Sequence, residues 1–260
     1  LLNGVGTFVF GVCRVDPAGG NGIDASLSGK AGRQCMGQRG NAALGSGVAF
    51  TLRLTHPVPG GGNVNDTAAL GKIGSKKLGK IKKLCPQFHI SLQSGSDSVL
   101  KKMNRHYTAD EYKTLTENLR EVFLDATITT DILTGFPTET EEEFLETVEF
   151  AKTIKFEKAH IFPYSVREGT VASKLPQLTN AVKESRAKIL TEITNETRKE
   201  YLKEQIGKTV NVLFETDKND YSEGYTENYT PVRIYDNTKR LGEIIKVKIT
   251  EAKDDYCIGI

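Results

Sequence analysis

Apolar positions divide residues 85–206 into alternating strands and helices. Short apolar runs, enriched in β-branched and aromatic residues, predict strands at 88–92, 126–133 and 159–163. Between these runs, Thr108 precedes a helical pattern that ends at 123, and Thr140 precedes an acidic one that ends near 154. This order predicts a parallel sheet, because each crossover helix returns the chain to the same edge.

Residues 181–260 change from a helical period to a strand period. A long amphipathic helix is predicted over 181–206, where apolar residues recur at helical spacing among charges: Val182, Ile189, Ile193 and Leu202. Gly207 then supplies a stop for the helix. Beyond it, apolar and polar residues alternate at 210–214, 247–249 and 256–260. Short strands separated by Asn and Gly turns predict a small β-barrel.

The first part of the chain has a different composition. Eighteen of the 25 glycines precede Ile81, and no tyrosine precedes Tyr107. Glycine loses more backbone entropy on ordering than other residues, so we expect loops, disorder or poorly packed short strands there. We therefore divide the chain into an unassigned glycine-rich segment (1–80), an α/β region with a closing helix (81–206) and a β-barrel (207–260).

Composition and charge exclude few functions. A hydrophobic content of 38% supports a packed core, while a net charge of +2 neither indicates nor excludes a nucleic-acid surface. No apolar run is long enough for a transmembrane helix and no secretory signal is present, so a cytoplasmic protein without a membrane partner is expected. Because the chain begins with Leu1, we expect a fragment, a processed product or a fusion of reading frames.

The cysteines offer no metal-binding spacing. They lie far apart in the chain, at Cys13, Cys35, Cys85 and Cys257. Neither C-x2-C nor C-x3-C-x2-C occurs, so we predict reduced structural thiols and no metal ligands.

Polar residues and glycines follow each predicted strand of the α/β region. The three segments are 93–97, 131–140 and 160–170. Ligands of α/β proteins bind at the carboxyl ends of parallel strands, where these segments would meet. For the first segment, a polar turn that caps the next helix explains the pattern equally well.

Four motifs in these segments carry a family resemblance. They read L-Q-S-G-S-D at 92–97, M-N-R-x-Y-T at 103–108, T-D-I-x-x-G-F-P-x-E-T at 130–140 and H-I-F-P-Y-S-x-R-E-G-T at 160–170. In this order they resemble the radical-SAM methylthiotransferases that modify a tRNA adenosine beside the anticodon. The last motif most resembles the branch that acts on threonylcarbamoyladenosine, called MtaB-type. The resemblance covers about residues 81–260, and its C-terminal part resembles a TRAM domain.

The resemblance implies a fold, cofactors and partners. The fold would be α/β, with part of a TIM-like radical-SAM β/α barrel followed by a small OB-like TRAM barrel. The family uses S-adenosylmethionine, 4Fe-4S clusters, a reductant protein and tRNA. Its reaction uses a 5′-deoxyadenosyl radical to abstract hydrogen from C2 of adenine, where a methylthio group is then inserted.

The resemblance also implies places for S-adenosylmethionine. Three polar residues would lie near its ribose and methionine portions: Gln93, Ser94 and Asp131. A turn would border its adenine: Gly135, Phe136 and Pro137. No acid–base residue is assigned, because radical chemistry depends on positioning. We expect the nearby histidines to pack or hydrogen-bond rather than bind metal: His89, His106 and His160.

The cysteine motif that holds the family's cluster is missing from the sequence, so we expect this chain alone to be inactive. A non-catalytic RNA-binding module is the main alternative. A sister-branch enzyme is another, acting on isopentenyladenosine in tRNA or on a ribosomal protein.

The predicted barrel contains a candidate RNA surface. If Val247 and Ile249 point inward, Lys246 and Lys248 must point outward together, because side chains alternate along a strand. Three further cations could extend this patch: Arg233, Lys239 and Arg240. Tyr225 and Tyr229 could stack on an unpaired base. An ordinary solvated surface with core tyrosines is the alternative.

Overall fold

The computed structural model describes residues 84–260 throughout, together with Lys76, Gly79 and five short strands before them. These strands are β1 (Val9–Gly11), β2 (Asp24–Ser26), β3 (Val48–Thr51), β4 (Thr55–Pro57) and β5 (Asn63–Asn65). β1 pairs with β2 and β4 pairs with β5, both antiparallel. Short strands were among the expectations for 1–80, and the rest of that expectation lies outside the described residues.

The α/β region contains a parallel sheet. Its later strands are β6 (Leu84–His89), β7 (Thr127–Thr134) and β8 (Lys158–Pro163). The order is β3-β6-β7-β8 and every neighbouring pair is parallel, which confirms the predicted sheet. Two features differ from the prediction: β6 begins at Leu84 rather than Phe88, and β3 adds a strand from the glycine-rich segment. Pro86 and Gln87 interrupt the apolar run in β6, so the hydropathy pattern does not show where the strand begins.

Three helices connect and cover these strands. They are α1 (Asp97–Lys102), α2 (Ala109–Val122) and α3 (Glu141–Ile154). Thr108 and Thr140 each form a capping box with the glutamate three residues later, which confirms both predicted caps. The sheet side chains beneath the helices are apolar and have no exposed surface: Phe88, Ile90, Leu92, Ile128 and Ile132. The helices therefore leave the opposite face of the sheet for polar side chains.

The long helix α4 (Asn180–Lys203) buries a face that matches the predicted one only in part. Val182 and Ile189 were expected on its apolar face, yet they are 38% and 40% exposed. The buried side chains are Lys183, Arg186, Leu190, Thr194, Arg198 and Leu202. Leu202 is buried and Ile193 packs against the core, as predicted. The prediction was wrong for Val182 and Ile189, because hydropathy ranks Lys and Arg as surface residues although their aliphatic stems pack well when the charged ends find partners. A short 3-10 turn, Ala172–Lys174, precedes this helix.

The C-terminal region is a closed barrel, as predicted. Its strands are β9 (Thr209–Asp217), β10 (Ser222–Thr226), β11 (Pro231–Ile234), β12 (Ile244–Ala252) and β13 (Cys257–Gly259). They close in the order β10-β11-β13-β12-β9. The barrel core includes Leu202 from the end of α4, together with Val212, Phe214 and Val247. The fold is therefore part of a parallel β/α barrel followed by a small all-β barrel.

The barrel contacts the sheet at the amino-terminal end of β7. Thr127 Oγ1 donates to the Asn228 carbonyl at 2.8 Å, and Asn228 Nδ2 donates to the Asp125 carbonyl at 2.9 Å. Arg198 of α4 forms a buried ion pair with Glu157 and donates to the Asp255 carbonyl at 2.9 Å. These bonds fix the barrel to the edge of the sheet opposite to the one where ligands bind in such folds.

Of the helices in the described part of the chain, none combines the length and apolarity that a membrane-spanning helix needs.

Candidate functional site

The carboxyl ends of β6 and β7 carry residues in left-handed backbone conformations, which are strained for residues other than glycine. Gln93, Gly135 and Thr138 have φ angles of 68°, 69° and 67°. Gln93 is held there because its N–H donates to the Asp131 carbonyl and its carbonyl accepts from Leu133 N–H, both at 2.9 Å. Non-glycine residues in the left-handed region cost of order 1–3 kcal/mol and cluster at ligand sites. The strain marks this carboxyl edge as the candidate site.

A polar network covers the open face of the sheet just below this edge. His89 Nε2 lies 3.0 Å from Asp131 Oδ2, and His89 Nδ1 lies 3.1 Å from Thr129 Oγ1. Ser91 Oγ donates to the same Asp131 oxygen at 2.9 Å. The hydrogen bond from His89, with that from Ser91, lowers the pKa of Asp131 below its ordinary value. Asp131 is therefore a charged acceptor, suited to the hydroxyl groups of a sugar.

The loop after β7 is held by a buried ion pair. The Gly135 N–H donates to Glu139 Oε2 at 2.9 Å, and Arg186 Nη1 donates to the same oxygen at 2.7 Å. Arg186 Nη2 also reaches Glu141 Oε2 at 2.9 Å. Burial raises the pKa of Glu139, so the Arg186 contact offsets a real cost of placing the carboxylate there. The second turn of α4 thereby fixes the shape of the loop.

An aromatic pair and a buried lysine complete the carboxyl edge. The rings of Phe136 and Tyr164 lie 5.4 Å apart at 73°, and Lys183 Nζ lies 5.2 Å from the centroid of the Tyr164 ring. A Cβ on Gly135 would come within 2.5 Å of Lys183 Cγ, so this position requires glycine. Sequence analysis missed Lys183 and Arg186. The signal that could have revealed them is helical spacing, because Lys183 and Arg186 lie seven and four residues before the buried Leu190 and so share its face of α4.

The structure brings most of the predicted cofactor residues to this edge. Gln93, Asp131 and Gly135 lie on adjacent strand ends. Phe136 and Pro137 are buried in the loop that follows. Ser94 differs, because its side chain has no exposed surface and its hydroxyl lies 3.1 Å from Thr147 Oγ1 and accepts from Ser96 N–H. Contact with S-adenosylmethionine stays a prediction for all six residues.

The described residues do not fit an iron–sulfur cluster. They contain no group of three Cys, His, Asp or Glu side chains that could hold a metal ion. Burial raises the pKa of the Cys85 thiol, and it raises that of Cys257 to about 11, so the ligating thiolate is disfavoured at both. Cys13 and Cys35 lie outside the described residues.

The barrel presents two exposed lysines on one strand. Lys246 and Lys248 are exposed on β12, whereas Val247 and Ile249 are buried, which confirms the predicted alternation. Lys246 lies opposite Asn211 of β9. Within the described part of the chain, neither ammonium pairs with a carboxylate. This face of β12 and β9 is therefore a cationic surface open to an anionic partner.

The other predicted cations of the barrel have partners within it. Arg240 forms two 2.6 Å bonds to Asp236, and these lower the pKa of that carboxyl to about 2. Arg233 pairs with Glu223 at 2.5 Å. Its guanidinium also lies 4.7 Å from the Tyr221 ring and 3.9 Å from the Tyr256 ring. Lys239 donates to the Lys218 carbonyl at 3.0 Å. A role in RNA binding stays a prediction for these three cations.

The candidate stacking tyrosines are half-buried neighbours on the barrel. The rings of Tyr225 and Tyr229 lie 6.2 Å apart at 38°. Tyr225 sits opposite Leu213 of β9, on the strand next to the Lys246 surface. A stacking role stays a prediction for both tyrosines.

Comparison with known proteins identifies both folded regions. The Radical SAM superfamily matches residues 65–151, and the TRAM domain matches residues 203–260. Proteins named tRNA-2-methylthio-N(6)-dimethylallyladenosine synthase are similar to this chain. Those of Clostridium beijerinckii and Clostridium novyi are 41% identical over 181 and 188 residues, which cover 68% and 71% of this chain. That of Oceanobacillus iheyensis is 41% identical over 174 residues, 65% of this chain.

The match covers only part of these relatives. The aligned segments amount to 40%, 42% and 34% of the C. beijerinckii, C. novyi and O. iheyensis proteins. The relatives' names specify a dimethylallyl-adenosine, whereas the motif at 160–170 resembled the threonylcarbamoyl branch. The two domain matches occur in the same order as the parallel sheet and the closed barrel. Together with the relatives, they support the radical-SAM tRNA methylthiotransferase family for this chain.

Proposed function

We propose that this chain is the cofactor-positioning and RNA-binding part of a tRNA methylthiotransferase that acts on C2 of an N6-modified adenosine beside the anticodon. The observation that carries the proposal is the connection of two different surfaces by helix α4 and by hydrogen bonds between the barrel and the sheet. The carboxyl edge has the strained, polar character of a nucleoside site, and the barrel presents Lys246 and Lys248 to an anionic partner. Both surfaces are needed to hold one nucleotide of a large RNA against a cofactor.

The residues at the carboxyl edge fit S-adenosylmethionine. Asp131 is charged and would accept a ribose hydroxyl, while Gln93 and the turn at Gly135 let the backbone approach the ligand closely. Phe136 and Tyr164 would border the adenine ring. When bound in this family, S-adenosylmethionine supplies the 5′-deoxyadenosyl radical. Because the described residues do not fit a cluster, the proposal assigns them binding and positioning only; the clusters and the reductant protein are requirements of the family.

The helix α4 sets the span of the RNA site. Lys183 lies at the carboxyl edge and Leu202 lies in the barrel core, so the rise of the helix puts roughly 30 Å between the two surfaces. A single base cannot contact both. A folded RNA such as an anticodon arm can, which supports tRNA as the partner rather than a free nucleotide.

The test is tRNA binding across a salt series with the full chain. Replacing Lys246 and Lys248 with alanine should weaken binding and flatten the dependence of log K on log salt by about one to two units, because each phosphate contact releases a counterion. The matched control replaces Lys152 and Lys188, which are exposed on helices and near glutamates of the same helix. Unchanged affinity and slope in the Lys246/Lys248 variant would remove the barrel from the RNA site.

The substituent on the adenosine is a separate part of the proposal. The motif at 160–170 supports threonylcarbamoyladenosine, whereas the names of the relatives favour the sister substrate, dimethylallyladenosine. Fluorescence anisotropy with two anticodon stem-loops that differ only in this substituent separates them. Tighter binding of the threonylcarbamoyl stem-loop is expected, and tighter binding of the dimethylallyl one would assign the sister substrate. RNA binding without binding of S-adenosylhomocysteine would instead favour a non-catalytic RNA-binding module.

A further inference from the structure

Helix α4 buries three cationic side chains, and one of them differs from the others. Arg186 pairs with Glu139 at 2.7 Å, and Arg198 pairs with Glu157. Lys183 is equally buried, with 5% of its surface exposed. Across the described residues, no carboxylate lies within 4.0 Å of its ammonium, and the ring of Tyr164 is the group that its charge faces. The cation at the carboxyl edge is therefore the one without a counter-ion.

This arrangement leaves the charge of Lys183 without an anionic partner among the described residues. Contact with a tyrosine ring supplies only part of the attraction that a carboxylate would give to an ammonium. A lysine at a helix surface normally extends its charge into solvent. Here the stem instead crosses Gly135, where an added Cβ would lie 2.5 Å from Lys183 Cγ. The glycine thus makes room for the lysine at the strand ends where ligands bind.

The neighbours of Lys183 indicate the kind of anion. Phe136 and Tyr164 provide an aromatic pair beside the ammonium, and Asp131 provides a charged acceptor on β7, the strand that leads into Gly135. An isolated anion would use only the ammonium, whereas a nucleoside that carries an oxyanion would use all of these groups.

We propose that Lys183 binds the oxyanion of a nucleoside-linked ligand at the carboxyl edge. The identity of this ligand rests on the proposed function. Two sources share the chemistry: the carboxylate of the amino-acid portion of S-adenosylmethionine, and a backbone phosphate of the RNA. Lys183 is in either case a binding residue that the family motifs at 92–108 and 130–170 do not include.

The experiment compares Lys183→Met with the wild-type full chain. Methionine keeps the aliphatic stem against Gly135 and removes the charge. Lys188→Met is the matched control, because Lys188 is exposed on the same helix. Calorimetry measures S-adenosylhomocysteine, which has the carboxylate, and 5′-methylthioadenosine, which lacks it. Fluorescence anisotropy measures an anticodon stem-loop RNA.

We expect Lys183→Met to lower the affinity for one of the two oxyanion ligands by about tenfold or more, as for a lost charge-assisted hydrogen bond. The affinity for methylthioadenosine should be unchanged. A loss confined to S-adenosylhomocysteine assigns the carboxylate, and a loss confined to RNA assigns the phosphate. Lys183→Arg should retain most of the affinity, because it keeps the charge. Unchanged affinity for both ligands overturns the proposal, as does an equal loss for methylthioadenosine, which would make Lys183 a support of the aromatic pair.

A further measurement separates this inference from the proposed function. If the wild-type chain bound neither S-adenosylhomocysteine nor RNA, the proposed function would fail. Inorganic phosphate then tests Lys183 alone, through the carbon-13 resonance of its Cε, assigned by its absence from Lys183→Met. A saturable shift of that resonance supports the oxyanion site, and no shift overturns it.

Discussion

The two ends of helix α4 use buried charge in opposite ways. At its C-terminal end, Arg198 is paired with Glu157 and fixes the barrel to the amino edge of the sheet. At its N-terminal end, Lys183 is equally buried but faces an aromatic ring in place of a carboxylate. Paired buried charges fix structure, because breaking one leaves the other uncompensated, whereas an unpaired charge remains available to a ligand. The paired charge therefore marks the contact between the barrel and the sheet, and the unpaired charge marks the carboxyl edge where a ligand would bind.

The largest expected effect comes from breaking the ion pair between Arg198 and Glu157, which lies at the contact between the barrel and the sheet. Replacing Arg198 with methionine leaves Glu157 buried without its partner, and burial already raises the pKa of that carboxyl. We expect the free energy of unfolding to fall by about 3–5 kcal/mol, measured by urea denaturation.

Two further variants separate the effect of the lost charge from the effect of the lost packing at this ion pair. Adding Glu157→Gln to Arg198→Met should restore much of the loss, because no buried charge then remains. Lys199→Met should cost about 1 kcal/mol or less, since Lys199 pairs with Asp254 at the surface. An equal loss in the Arg198 and Lys199 variants would contradict the role assigned to the ion pair.

A smaller effect is expected from a substitution at the binding edge. Gly135→Ala adds a Cβ at a φ of 69° and against the stem of Lys183, so it should cost about 1–3 kcal/mol. Gly242→Ala is the control, because Gly242 has a φ of 83° but no atom within 4 Å of the added Cβ. The difference between the two unfolding free energies measures the contact with Lys183. Equal costs would mean that Lys183 does not pack on Gly135.

The smallest expected effect is a pH dependence of stability that arises from the polar network on the open face of the sheet. Asp131 has a lowered pKa in the folded chain, owing first to the hydrogen bond from His89. Its contribution to stability is therefore present above the ordinary carboxyl pKa of about 4 and is lost as the pH falls through the lower folded value. The stability gap between wild type and Asp131→Asn should shrink below about pH 4 in denaturation series. His89→Asn should reduce the same gap, and a constant gap would refute the assignment.

The sequence predicted the scaffold of the binding edge well. Thr108 and Thr140 identified two helix starts because a capping residue leaves a local signal that needs no knowledge of the fold. The alternation of Lys246 with Val247 similarly predicted which barrel side chains face outward. Gln93, Asp131 and Gly135 were also found at one edge, because parallel strands bring their carboxyl ends together.

The buried face of α4 could not be predicted in the same way. Its hydropathy pattern favoured Val182 and Ile189, whereas the structure buries Lys183 and Arg186. The partner of Arg186 is Glu139, 47 positions away in the chain, and no local pattern records such a pair. For the same reason, the sequence did not distinguish the internally paired Arg240 from the exposed lysines of β12.

Hydrogen exchange measured with two ligands tests most directly whether the carboxyl edge and the barrel bind different ligands. S-adenosylhomocysteine should slow amide exchange in residues 131–139 and leave the barrel strand Ile244–Ala252 unchanged. An anticodon stem-loop RNA should slow exchange in that strand and in its neighbour Thr209–Asp217. Two results would contradict an RNA-binding barrel joined to a carboxyl edge that binds a nucleoside. One is that S-adenosylhomocysteine protects neither 131–139 nor any other segment at the carboxyl edge. The other is that RNA leaves both barrel strands unprotected.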